Sequence, residues 1–232
     1  MRCILILLAL LVVAGCETVP ATGPGLPEEV LRARRSFAEV IARVEPMAER
    51  ECESRTSGVN CNFMIRVDPD PEAEPNAFQA EDGLGRPVIL FTASLIESTR
   101  NGDELAFILS HETAHHILGH LDRQARNAAA GAAILGNLAA RDGASPEVVV
   151  RAEQLGAVLG ARSYSKDFEL EADQLGTVIA YHAGFDPLRG AEYFARLPDP
   201  GDRFLGTHPP NAARVWVVQE TMRVLRDPGV SG

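Results

Sequence analysis

Two histidines four residues apart, with a glutamate beside the first, form the segment His111-Glu112-Thr113-Ala114-His115. On an α-helix, residues at i and i+4 project from the same face, so both imidazoles can reach one metal ion. Glu112 lies about 100° around the axis from His111, where it can take a proton from an activated water without being a ligand. The pattern predicts a zinc site that catalyses attack of water on a polarised carbonyl. The alternative is two surface histidines on an ordinary helix.

The residues around this motif predict the helix that must carry it. Asn101 can cap the helix, with Glu104 three residues later as its capping-box partner, and leucine and isoleucine residues supply an apolar face. We therefore predict one helix over about 103–122. On a straight helix of that length His116 and His120 point away from the ligand face, so both are predicted to be surface or packing residues.

A third ligand is needed, and the acidic segment 163–173 offers candidates. Glu169 and Asp173 are again four residues apart, so a second helix can present both carboxylates to the ion. Glu169, Glu171 and Asp173 can equally be a solvated acidic face, as most charged runs are. From the spacing alone both interpretations remain open.

The N-terminus predicts export. An apolar run follows Arg2, and Val13-Ala14-Gly15-Cys16 resembles a bacterial lipobox, so residues 1–15 are a predicted signal peptide and Cys16 a lipidated cysteine. The run is shorter than the ~20 residues that span a bilayer, which disfavours a transmembrane anchor. An ordinary secretory signal is the other alternative. Residues 16–27, rich in proline and glycine, are predicted to tether a single domain over 28–232.

Composition agrees with a periplasmic location. Glu17 after the lipidated cysteine resembles sorting to the outer membrane, which predicts anchoring to its inner leaflet. The full chain has a formal charge of −10, and the predicted mature chain, which loses Arg2 and no acidic residue, has a charge of −11; this argues against nucleic acid and anionic lipid as partners. Cys52 and Cys61 are the two cysteines that remain, and in an oxidising compartment we predict a disulfide between them. Two separate buried thiols are the alternative, and zinc binding by this pair is disfavoured.

Together these motifs resemble the M48 family of zinc metallopeptidases, of the gluzincin group, from roughly residue 66 to the C-terminus. The similar segments follow in family order: 76–78, 87–92, 103–106, 111–115, 164–167, 169–173, 183–187 and 207–209. The resemblance implies one zinc ion per chain, held by His111, His115 and Glu169. It further implies that Asp173 orients a ligand histidine, that His208 steadies the oxyanion or binds zinc in a resting state, and that Glu171 is a flanking residue.

The expected fold is α+β and mostly helical: a zincin-type metallopeptidase domain with a small β-sheet at the cleft edge. Residues 31–50 are predicted to be an amphipathic helix, and 61–67 and 88–92 short strands. Residues 126–160 are predicted to be a helical hairpin broken near 142–146, with a cleft-covering lid as the alternative. No tetratricopeptide array is expected after the peptidase domain.

The expected function is zinc-dependent endopeptidase activity on polypeptides of the cell envelope, such as misfolded or misassembled proteins. By analogy, the backbone near 76–78 and the strand around Ile89 align an extended substrate. The alternative is a lipoprotein chaperone or adaptor in which zinc is a structural clamp or the peptidase is latent.

Overall fold

The computed structural model describes residues 28–163, 165–199 and 209–227, so the predicted signal peptide, tether, Cys16 and His208 lie outside the described residues. The strands are β1 (Met64–Asp68), β2 (Ala77–Glu81) and β3 (Pro87–Thr92). The helices are α1 (Glu28–Arg55), α2 (Ala93–Ser98), α3 (Gly102–Ile117), α4 (His120–Arg141), α5 (Pro146–Arg162), α6 (Ser165–His182), α7 (Pro187–Gly190), α8 (Glu192–Arg196) and α9 (Asn211–Arg226). This confirms the mostly helical α+β prediction.

The three strands form one mixed sheet in the order β1-β3-β2. The central strand β3 pairs in parallel with β1 and antiparallel with β2, and Ile89 lies opposite Ile65 on one side and Gln79 on the other. Ile89 and Phe91 are fully buried. The strand β2 was not predicted. Because β2 ends the sheet within the described residues, its outer edge is available to another extended chain.

The core lies between the sheet and the helices α1, α3 and α6. As the predicted apolar stripe requires, α1 buries Phe37, Val40 and Val44, although the helix continues past Pro46 to Arg55. The helix α3 is buried along most of its length and packs against both α1 and α6. A helix so enclosed holds its side chains in fixed positions, as a ligand site needs.

The prediction of one helix over about 103–122 is wrong at its C-terminal end. The helix α3 ends at Ile117, where Leu118 N–H donates to Ala114 O over 2.9 Å. Gly119 then takes a left-handed conformation, with φ 64°, and α4 starts at His120. Glycine adopts this backbone without the steric cost that other residues meet. The break redirects the chain, so His120 does not continue the spacing of α3.

The long segment after this break is the predicted helical hairpin. The helices α4 and α5 pack closely on each other, and the turn between them falls at 142–145, within the predicted region. Among the residues that the structure describes, no helix combines the length and apolar character needed to cross a membrane.

Candidate active site

The helix α3 presents the two motif histidines to one point. Its N-terminus is capped by Asn101, whose Oδ1 accepts from Glu104 N–H over 3.0 Å. His111 and His115 lie one turn apart, and their Nε2 atoms are 3.0 Å from each other. Glu104 is fully buried and ion-paired with Arg196, whose Nη2 donates to its Oε2 over 2.7 Å. The Glu104 carboxylate accepts from Arg100 N–H over 2.8 Å, one residue before the Asn101 N–H that a capping box uses, and its ion pair with Arg196 ties α3 to α8.

The helix α6 brings Glu169 to the same point. Its Oε2 lies 3.6 Å from His111 Nε2, and its Oε1 lies 3.4 Å from His115 Nε2. One donor atom from each of these three residues falls within 4.8 Å of the others. The helices approach closely because α6 has Gly176 against α3, where an added Cβ would lie 3.0 Å from the His111 backbone. Two imidazole nitrogens and a carboxylate are a donor set that suits zinc.

Asp173 lies behind His111, one turn after Glu169. Its Oδ1 is 2.9 Å from His111 Nδ1, so Nδ1–H donates to Asp173 and Nε2 is the nitrogen that faces Glu169 and His115. Asp173 is fully buried. Burial alone raises its pKa, but the charge and hydrogen bonds of Arg214 outweigh burial and hold the pKa below its ordinary value.

Arg214 is a residue that the sequence analysis missed. From α9 its Nε donates to Asp173 Oδ2 over 2.8 Å and its Nη2 donates to Asp173 Oδ1 over 2.7 Å. The guanidinium also stacks over the ring of Phe194, 3.6 Å from its centre. An arginine in an amphipathic surface helix gives no signal of burial. Only the fold shows that this one fixes the carboxylate that orients His111.

The electrostatic setting of His111 favours a positive charge. Burial lowers its pKa, but the hydrogen bonds that Asp173 and Glu169 accept from the ring outweigh that effect and raise the pKa to about 10. The same two carboxylates that stabilise a proton on this ring also stabilise a cation placed between His111 and Glu169. The buried negative charges therefore suit a metal ion.

His115 is oriented by His120, contrary to the prediction that His120 points away from the site. The two Nδ1 atoms are 2.7 Å apart, and His120 Nε2 lies 3.2 Å from Glu171 Oε2. Burial first, and then the charge of His115, lower the pKa of His120 to about 4, so its ring is neutral. Its one proton goes to Glu171, which leaves Nδ1 to accept from His115 Nδ1–H. His115 Nε2 thereby keeps a free lone pair.

Glu171, predicted to be only a flanking residue, ends this chain of hydrogen bonds. Its carboxylate also accepts from Arg123, whose Nη2 lies 3.2 Å from Glu171 Oε1. Arg123 in turn lies over the ring of Phe168, and the Phe168 ring stacks on His120. Three acidic residues of α6 therefore have different contacts: Glu169 lies near both ligand histidines, Glu171 near His120 and Asp173 near His111.

Glu112 lines a cleft of about 500 Å³ together with the three candidate ligands. Burial raises its pKa, an effect that His111 and His115 partly oppose. The carboxylate makes no hydrogen bond with any residue in the described ranges. A carboxylate in this position is free to exchange a proton with a water or substrate in the cleft.

The free edge of the sheet borders the same cleft. Residues 75–79, which include the start of β2, line its wall, and Phe78 is 42% exposed there. The predicted contribution of the strand around Ile89 is wrong, because both edges of β3 are already paired within the sheet. The two edge strands of the sheet are β1 and β2, and of these β2 lines the cleft, so an extended peptide in the cleft can add to β2.

Three further residues of the sequence analysis, Cys52, Cys61 and His116, have structural contacts of their own. Cys52 and Cys61 are joined as a disulfide, with Cα atoms 5.7 Å apart. His116 is a packing residue, with Nε2 2.8 Å from Asn60 O and its ring edge-on to Phe63.

Comparison with known proteins adds the family. A curated relative, a putative beta-barrel assembly-enhancing protease of Vibrio cholerae serotype O1, is 30% identical over 144 residues. The alignment covers 59% of this chain and 28% of the relative, so the chain corresponds to little more than a quarter of that protein. The sequence profile of peptidase family M48 matches residues 34–222, which contain both ligand helices and α9. Because this match extends over most of its length, the chain belongs to peptidase family M48.

Proposed function

We propose that the protein is a zinc-dependent metalloendopeptidase. The observation that carries the proposal is the convergence of His111, His115 and Glu169 within 4.8 Å, in a cleft that is also lined by Glu112, whose carboxylate has no hydrogen-bond partner among the described residues. The Nδ1 atoms of both histidines are hydrogen-bonded, that of His111 to Asp173 and that of His115 to His120. The Nε2 atoms are thereby presented to one ion.

The metal and the protein residues have separate tasks in this proposal. When bound, zinc supplies Lewis-acid chemistry, which polarises a peptide carbonyl and lowers the pKa of a water toward ~7. Glu112 accepts the proton of the attacking water on a carboxylate oxygen and returns it to the leaving nitrogen. The pKa of Glu112, raised by burial, suits both transfers because the group must hold the proton and then release it. His208 stays a predicted stabiliser of the oxyanion.

The cleft suits an unfolded or extended polypeptide. The outer edge of β2 offers backbone hydrogen-bonding groups beside the ligand point, and Phe78 offers an apolar contact. An added strand is held by its backbone and so needs no particular sequence. This supports cleavage of misfolded or misassembled proteins rather than of one defined peptide.

The location is part of the proposal. We infer a lipoprotein of the bacterial periplasm, with residues 1–15 removed, Cys16 acylated at the inner leaflet of the outer membrane, and a tether over 16–27 before the peptidase domain. The lipobox-like sequence and the name of the relative from Vibrio cholerae support it. Mass spectrometry of the N-terminal peptide from membranes tests it, and an unmodified Cys16 contradicts it.

The decisive experiment compares Glu112→Gln with wild type on an unfolded, fluorescently labelled protein. Loss of a general base lowers the rate about 10²–10⁴-fold. Glu220→Gln, an identical change on α9, is the matched control and keeps wild-type activity. Equal zinc content in all three proteins excludes loss of the metal. Cleavage by Glu112→Gln at the wild-type rate overturns the mechanism.

The same variant tests the chaperone or adaptor alternative. A purely structural zinc needs no base, so that alternative requires Glu112→Gln to keep its biological activity while losing proteolysis. The position of Glu112 in the cleft, beside the three candidate ligands, favours the peptidase. Cross-linking of envelope proteins to Glu112→Gln then identifies the substrates.

A further inference from the structure

One side of the hairpin formed by α4 and α5 exposes large apolar side chains. Ile134 and Leu138 of α4 are 66% and 56% exposed, and Val148 and Leu155 of α5 are 49% and 55% exposed. The first pair is four residues apart and the second pair seven, so each pair projects from one side of its helix. No other described part of the chain covers these side chains.

Both pairs lie on the same side of the hairpin. The antiparallel helices meet where Gly131 lies against Gly156, since a Cβ on Gly131 would be 2.1 Å from the Gly156 carbonyl oxygen. Ile134 is turned about 60° from Gly131, and Leu155 about 100° from Gly156. In antiparallel helices these two rotations carry both side chains to the same side of the contact. We call the surface of Ile134, Leu138, Val148 and Leu155 the apolar face.

Arginines border the apolar face. Each of three exposed arginines follows one of its apolar residues by three or seven positions, and so projects from the same side: Arg141, Arg151 and Arg162. The carboxylates of α5 lie elsewhere. Glu153 packs at Gly136 in the contact between the helices, and Glu147 is turned about 100° from Val148. At the end of α4, Asp142 follows Leu138 by four positions and lies beside Arg141, so the margin holds three arginines and one carboxylate and is basic on balance.

We propose that the apolar face docks on the surface of a bilayer containing anionic phospholipid. Its four apolar side chains enter the boundary between headgroups and acyl chains, and Arg141, Arg151 and Arg162 bind lipid phosphates. The formal charge of −10 argues against such a surface, but charge is segregated along the chain. Residues 120–163 hold five arginines and four carboxylates, whereas the whole chain has 32 acidic and 22 basic residues. Local charge complementarity, not net charge, orients the hairpin.

Charge also decides between a bilayer and a second copy of the chain. A symmetric dimer through the apolar face would place the same basic margin of each copy near that of the other, which is repulsive. Anionic lipid instead supplies the opposite charge around an apolar centre. The bilayer is the occupant that satisfies both parts of the surface.

Vesicle binding tests the proposal on the full chain with Cys16→Ser, which removes the predicted acylation site from every sample. Vesicles of equal parts phosphatidylcholine and phosphatidylglycerol are sedimented and the bound fraction measured. Ile134→Ser with Leu155→Ser is expected to weaken partitioning at least about tenfold, because an apolar side chain leaves the interface at each position. Replacing Arg141 and Arg151 by Gln is expected to lower the partition coefficient about fivefold per arginine. It should also make vesicle binding less dependent on salt concentration.

The matched control is Val150→Ser. Val150 is 49% exposed on the same helix, as Val148 is, but is turned about 200° from it. It should bind vesicles as the parent chain does. Helical content and cleavage of the soluble labelled substrate should be unchanged in every variant, so failure here is distinct from failure of the proposed peptidase.

Four results overturn the proposal. The first is that the Ile134→Ser and Leu155→Ser double variant binds vesicles as well as the parent chain does. The second is that Val150→Ser loses as much binding as the double variant. The third is that the parent chain binds vesicles of phosphatidylcholine alone as well as those that contain phosphatidylglycerol. The fourth is a dimer of the parent chain that the double variant converts to a monomer, which assigns the face to a second copy.

Discussion

The Nδ1 atom of His115 lies 2.7 Å from the Nδ1 atom of His120, which joins a candidate ligand on α3 to the first residue of α4. Because His120 is neutral and its Nε2–H donates to Glu171, its Nδ1 accepts a hydrogen bond from His115 Nδ1–H. The Nε2 of His115 is then free to bind an ion. A histidine outside the motif thus helps to set the protonation state of one inside it. Both candidate ligand histidines have such a partner, since Asp173 does the same for His111.

Removing this partner should weaken zinc binding. We expect His120→Ala to raise the zinc dissociation constant about 10–100-fold, because His115 loses the group that fixes its orientation and tautomer. Competition with a coloured chelator measures the constant, and the spectrum of the cobalt-substituted protein reports the changed geometry. His182→Gln, a change at an exposed histidine far from the cleft, is the control. Wild-type zinc affinity in His120→Ala would show that His120 only packs.

Metal removal should inactivate the protein and lower its stability together. A chelator is expected to abolish cleavage, and zinc at about 100 times its dissociation constant should stabilise the folded chain by about 2.7 kcal/mol. Thermal unfolding with and without zinc measures this. Glu169→Gln, which removes one candidate ligand, should show a much smaller zinc-dependent shift. A zinc-dependent shift as large in Glu169→Gln as in wild type contradicts the assignment of Glu169.

Arg214 should matter for stability as well as for the site. Arg214→Met leaves the carboxylate of Asp173 buried and unpaired, which typically costs about 3–5 kcal/mol in the free energy of unfolding. Denaturant unfolding measures the loss. The double variant Arg214→Met with Asp173→Asn should regain much of the lost stability, because its residue 173 carries no buried charge. Arg223→Gln, at an exposed arginine of the same helix, should change stability by less than about 0.5 kcal/mol.

The pair of Asp173 and Arg214 also predicts the direction of the acid response. The pKa of Asp173 is lower in the folded protein than in the unfolded chain, so the pair stabilises the fold fully above the ordinary carboxyl range. That contribution is lost as pH falls through the lowered pKa. In Arg214→Met the arginine no longer lowers the pKa of Asp173, so acid unfolding of this variant should begin at higher pH than that of wild type. Circular dichroism measures the pH midpoint of acid unfolding. The same midpoint in Arg214→Met as in wild type contradicts this account.

Phe78 should affect substrate binding rather than chemistry. It lines the cleft from the edge strand β2 and carries no group that can bind a metal or exchange a proton. We expect Phe78→Ala to raise KM severalfold on an unfolded substrate with kcat nearly unchanged, as for a contact made equally in the ground and transition states. Leu84→Ala, at a 92% exposed position between β2 and β3, is the control. A fall in kcat with constant KM would place Phe78 in the chemical step instead.

The central part of the site could be predicted because helix geometry is local. Asn101 and the apolar spacing predict α3, and the four-residue spacing predicts that Glu169 and Asp173 share a face of α6. The spacing could not show which carboxylate meets the ion, since that depends on how α6 lies against α3. Gly176 contributes to that arrangement because its lack of a side chain lets α6 lie close against the α3 backbone at His111, a contact between helices distant in sequence.

The rest of the site depends on contacts that no local pattern encodes. Arg214 lies 41 residues after Asp173, and an arginine on a surface helix has the same sequence signature whether it is exposed or paired in the core. His120 was misplaced for a different reason. Gly119 could have been taken as a helix end, a position where glycine is common, but the apolar residues on either side suggested one continuous helix.

Leu118 and Gly119 connect the hairpin directly to the helix that carries both candidate ligand histidines. His120, whose ring orients His115, is the first residue of the hairpin. Its ring also stacks on Phe168 and its Nε2 lies 3.2 Å from Glu171 Oε2, so the start of the hairpin is held by α6 as well as by α3. The first turn of α4 is therefore part of the support of the candidate metal site, although it supplies no ligand.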